Sequence, residues 1–89
     1  MARFEIPQPD GSAFAPAACS ADALFELGMM YAAGRDVALD LVTAHKWLNI
    51  SASRGNLSAR QMRTELAAEM TRAEIIDAQK QARAWAMGR

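Results

Sequence analysis

Residues 23–59 read ALFELGMMYAAGRDVALDLVTAHKWLNISASRGNLSA, and the spacing of small and aromatic side chains in this stretch decides the fold. Ala23, Leu24, Leu27, Met30 and Tyr31 recur at intervals of three and four, which places them on one face of a helix. Ser20 precedes that helix as an N-cap and Asp22 sits in its first turn, where a carboxylate opposes the positive end of the helix dipole. Gly34 stops it, since glycine enters the left-handed conformation without steric cost. Asp40 then caps a second helix whose inward face carries Leu41, Ala44, Trp47, Leu48, Ser51 and Ala52, with Gly55 and Asn56 at its end. Helices that pack at about 8–10 Å need small residues where their axes come nearest. Gly28 and Ala44 supply that closeness, and Tyr31 and Trp47 fill the space on either side.

Outward from this pair, a third helix is expected from about Leu57 to Met70, with Ala59, Met62, Leu66 and Met70 at helical spacing. The sequence T-R-A-E at 71–74 is a capping box, in which Thr71 and Glu74 open a fourth helix along Ile75, Ala78, Ala82 and Trp85. The fold expected is therefore all-α, two antiparallel helical hairpins. Residues 1–19 differ in composition, holding all three prolines and the isolated apolar points Phe4, Ile6 and Phe14. They read as an extended arm, ahead of a helical domain over 20–89.

The residues of the first pair resemble a known family. Ala23, Leu27, Gly28, Tyr31, Gly34, Val37, Asp40, Ala44, Trp47, Ala52, Gly55 and Ala59 match nearly every fixed position of the Sel-one-like repeat, a relative of the tetratricopeptide repeat. The resemblance covers a little under half the chain. Asp36 stands where the repeat has its second loop glycine, and Asp tolerates a positive backbone angle better than most residues. Ser51 replaces the first of two paired alanines, a small-for-small exchange. The resemblance implies a repeat over 23–58 and a degenerate capping hairpin over 59–88, because Arg63, Thr64 and Ala67 occupy the positions that Leu27, Gly28 and Tyr31 hold in the first unit. Repeats of this kind need about three units to be stable alone. One unit and a cap must gain stability from the fourth helix, the arm, a partner or a second copy of the chain.

Composition narrows the function. At 89 residues the chain is one small domain, and its ten basic and ten acidic side chains cancel and interleave. No basic stripe exists to neutralise phosphates, so nucleic acid is not an expected ligand. No apolar run approaches the roughly 18 residues that cross a bilayer, and the start of the chain lacks the basic and apolar segments of a leader. Pro16 stands three before Cys19, where a lipoprotein signal has Leu. The single cysteine suits a reducing, cytoplasmic setting.

Chemistry is sparse. His45 and Cys19 are the only residues of their types, which leaves no zinc set, and no phosphate loop, serine elbow or dinucleotide fingerprint occurs. His45, between Ala44 and Lys46, is expected as a solvated side chain. The pairs Asp22 with Glu26 and Glu65 with Glu69 read as solvated acidic faces. No catalytic residue, metal or cofactor is expected. The family resemblance implies an adaptor that holds a protein partner on the concave side of its helix pairs; the alternatives are an accessory subunit of a larger assembly and a ligand-binding protein or enzyme with a pocket near Tyr31 and Trp47. Laid out as in tetratricopeptide relatives, the concave face draws on Asp22, Phe25, Met29 and Ala33 of the first helix and Gln61 and Glu65 of the third. Phe25 and Met29 lie one turn apart, an aromatic anchor beside an adaptable thioether.

Overall fold

A computed structural model describes residues 20–88, which form four helices and their connections: α1 (Ala21–Ala33), α2 (Leu41–Ser53), α3 (Leu57–Ala67) and α4 (Arg72–Met87). The expected arm over 1–19, with Cys19, lies outside the described residues. The described chain is all-helical.

Each helix starts where a side-chain oxygen can accept an N–H that the helix itself leaves unpaired. Ser20 Oγ accepts from the Ala23 N–H at 3.0 Å, Asp40 Oδ1 from Thr43 at 3.1 Å and Asn56 Oδ1 from Ala59 at 2.7 Å. The capping box closes in both directions: the Glu74 N–H donates to Thr71 Oγ1 at 3.1 Å and the Thr71 N–H to Glu74 Oε1 at 2.8 Å. Asn56, expected to help end the second helix, does so through its N–H, which donates to the Ser51 carbonyl at 3.2 Å, and it also begins the third. α3 also stops short of the expected Met70. From Ala68 onward each N–H donates three residues back, to Glu65, Leu66 and Ala67 in turn, so the chain tightens while Met70 stays buried.

The connection between α1 and α2 is a left-handed stop. Gly34 has φ 69° and ψ 32°, and Asp36 has φ 66°. The Asp40 N–H donates to the Tyr31 carbonyl at 3.1 Å, tying the cap of α2 to the end of α1.

α2 is the central element, with α1, α3 and α4 all packed on it, and α4 lies against α2 more than against α3, the helix before it. Closeness to α1 depends on Gly28. A Cβ at that position would lie 2.8 Å from the side chain of Leu48 and 3.3 Å from the Ala44 carbonyl oxygen, and Leu48 and Ala44 are themselves wholly buried. Around that contact, Ala44 and Leu48 join Ala59, Leu66, Met70 and Ala78 in one core cluster. Leu24, Trp47, Ile50 and Ala82 form a second, and half-buried Tyr31 packs against both. Trp47 meets Trp85 of α4 edge to face, with ring centroids 5.3 Å apart. Ser51, wholly buried, donates to the Ala21 carbonyl at 2.6 Å. Serine at this position thus supplies a hydrogen bond between α2 and the first turn of α1.

Gly28→Leu is expected to lose about 2 kcal/mol or more, because the added side chain would meet the wholly buried Leu48 and force the helices apart. Urea denaturation reads this as a lower midpoint. An unchanged midpoint would show that α1 and α2 do not meet there.

Candidate functional site

α1 and α3 adjoin, so the six residues expected on a concave face fall on neighbouring helices. An open apolar cleft of about 370 Å³ lies between these helices and the α1–α2 connection, and two of the six, Met29 and Ala33, line it. The other four stand apart from it. Phe25 packs half-buried on the core, Asp22 accepts from Asn56 Nδ2 at 2.9 Å, and Gln61 and Glu65 are exposed on α3. Ala32, Leu39, Leu41, Met62, Leu66 and Glu69 complete the cleft, none of them anticipated as site residues. The sequence places Met62 and Leu66 only at helical spacing along the third helix. Leu39 is 62% exposed in the connection, and no helical periodicity marks a connection residue as a contact.

On the other side of α2 the structure corrects the expectation for His45. The side chain is not solvated: it is only 2% exposed, because α3 and α4 both close over the side of α2 that carries it. Its Nδ1 is buried without a hydrogen-bond partner among the described residues. Burial, and then the positive charge of Arg63, hold its pKa below the ordinary value of 6.5, which keeps the ring neutral. Arg63 Nη1 donates to Asn49 Oδ1 at 2.7 Å. Next to His45, Lys46 places Nζ 4.4 Å from the centre of the Trp47 ring, and burial lowers its pKa also. Among the described residues no three of His, Cys, Asp and Glu converge as metal ligands. Among the described residues no hydroxyl or carboxylate hydrogen-bonds to His45 Nδ1.

Asp40 has the opposite environment. Its carboxylate accepts the Thr43 N–H and, at 2.8 Å, the Thr43 hydroxyl, and these bonds lower its pKa.

Comparison of the chain with protein-family models, with curated proteins and with solved structures finds no match.

The depressed pKa of His45 makes stability depend on pH with a definite sign. The unfolded chain takes up the imidazole proton at about the ordinary 6.5 and the folded chain only lower, so the stability held above 6.5 declines as pH falls through this window. Melting temperature should therefore drop between pH 7 and 5, and His45→Gln should flatten that drop. Parallel pH profiles for the two proteins would contradict a buried neutral ring.

Proposed function

We propose that this chain is a non-catalytic protein-interaction module, a Sel-one-like unit followed by a degenerate capping pair, which holds a helix or peptide of a partner protein in the cleft between α1 and α3. One observation carries the reading: Leu39 stands 62% exposed at the rim of an apolar cleft whose walls include the adaptable side chains of Met29 and Met62. Covering one such leucine is worth about 1.5–3 kcal/mol, and thioethers reshape to fit different apolar partners. The repeat assignment has its own support. Gly28, Gly34, Asp40, Ala44 and Trp47 serve in turn as close contact, helix stop, cap, close contact and core aromatic, the roles the resemblance assigns to them.

Catalysis and cofactors form no part of this reading, and neither does a membrane segment, since no helix among the described residues is long and apolar enough to cross a bilayer. A second reading, an accessory subunit docked permanently in a larger assembly, draws support from apolar residues elsewhere: Ile76 and Met87 of α4 are 47% and 77% exposed. Such a subunit would self-associate or lose structure when purified alone.

The test is co-purification with tagged full-length protein from its own cells. Met29→Lys and Leu39→Lys should each release the partner, with circular dichroism and melting temperature preserved. Retention of the same partner by both variants would remove the α1–α3 cleft from the account.

A further inference from the structure

The apolar cleft lies within reach of a segment of this same chain whose chemistry matches it. α1 and α3 start side by side, with Asn56 Nδ2 donating to Asp22 at 2.9 Å, and the cleft lies toward their far ends, where Met29, Ala33, Met62 and Leu66 line it. The two helices therefore point the same way. They touch only sparsely, which leaves a furrow between them that ends in the cleft. Among the described residues none covers Leu39 at its rim, which is 62% exposed.

The chain enters α1 through residues 11–19, GSAFAPAAC, which hold no charged side chain and one large apolar one, Phe14. The charges of the preceding residues, Arg3, Glu5 and Asp10, all stand earlier. Length sets the register. Met29 to Ala33 follow Ser20 by 9 to 13 residues, which places them roughly 14–20 Å along α1 at ~1.5 Å per residue. Phe14 precedes Ser20 by six residues, a reach of about 20 Å for extended chain at ~3.3 Å each. A segment that turned back at Ser20 and followed the furrow would bring Phe14 to Met29 and Leu39, whereas Phe4 and Ile6 would overrun the end of α1. Pro16, with its fixed φ, lowers the entropy cost of holding such a segment in one conformation.

We propose that residues 11–19 occupy this cleft in the free protein, with Phe14 as the anchor against Met29, Met62 and Leu39, so that a partner must displace them. The proposal rests on the interaction-module reading and adds its regulation. An aromatic ring between two thioethers is a favourable contact, and a segment without charges brings none into an apolar cleft, where an unpaired charge would be costly. The tether decides between this segment and a second copy of the chain. A segment joined directly to Ser20 meets the cleft at an effective concentration in the millimolar range, whereas a second copy binds from dilute solution. A partner then sees an affinity reduced by the fraction of molecules whose cleft is open.

The experiment is nuclear Overhauser spectroscopy of the full-length protein with isotope-labelled methionine and leucine methyl groups. The Met62 and Leu39 methyls should show cross-peaks to an aromatic ring. Those cross-peaks should vanish in Phe14→Ser, with circular dichroism unchanged, and persist in Phe4→Ser. A second measurement adds an end-blocked peptide of residues 11–19, carrying Cys19→Ser, at millimolar concentration. It should shift the Met62 and Leu39 signals of the Phe14→Ser protein saturably, and bind the unchanged protein about fivefold or more weakly, because there the tethered segment competes. Cross-peaks that survive Phe14→Ser, no binding of the peptide to that variant, or equal binding to both proteins would each overturn the proposal. So would cross-peaks found only between differently labelled chains in a mixed sample, which would make a second copy the occupant. Failure here is distinguishable from failure of the module reading: a partner that Leu39→Lys releases, together with no contact from Phe14, discards the tethered segment and keeps the cleft.

Discussion

α1 comes close enough to α2 for the rest of the fold to form because residue 28 has no side chain. At that point the wholly buried Leu48 and the Ala44 backbone occupy the space that a Cβ would need. The approach has consequences in both directions along the helices. Toward one end it lets Ser51 reach the Ala21 carbonyl, and toward the other it lets the Asp40 N–H reach Tyr31, so polar contacts secure the pair on either side of an apolar centre. It also leaves the remaining sides of α2 to be covered by later helices, and α3 and α4 do so with Ala59, Leu66, Ala78 and Ala82. Small residues recur at these contacts for the same reason as at 28: short helices gain apolar contact only when their axes are near.

Much of this was legible in the sequence, because the signals are local. Ser20, Asp40, Thr71 and Glu74 cap helices through bonds spanning three residues, and a cap depends on little beyond its own turn. Gly34 and Asp36 were legible for a similar reason, since a positive φ restricts residue type directly. Gly28 and Ala44 showed through the spacing of small residues along the first two helices. His45 was misjudged and the burial of Ile50 went unanticipated because a periodicity argument assigns each helix one buried face, while α2 is covered by three helices and buries residues on several sides. Nothing local to His45 indicates that two later helices close over it. The cleft was half legible: Met29 and Ala33 followed from α1, but Leu39 belongs to a connection whose path is set by the Asp40–Tyr31 bond.

The two sides of α2 and its neighbours divide the surface by chemistry. Toward α1 and α3 the surface is apolar, with thioethers and an exposed leucine, and toward α4 it carries arginines, amides and a buried neutral imidazole. On the reading proposed above, a partner bound in the apolar cleft would offset the thin margin of stability in a domain this small, because a ligand of the folded state stabilises it by mass action.

The central claim is that α2 organises the described helices into one cooperative unit, with its contact to α1 as the anchor. Native-state amide hydrogen exchange tests it most directly. The amides of Leu48, Ile50 and Ser51 should exchange only through global unfolding, at the slowest rates in the protein, and their dependence on denaturant should match that of the unfolding transition. Exchange of these α2 amides through a smaller opening, at rates no slower than those of α4, would show that the helices do not depend on α2 and would contradict the account.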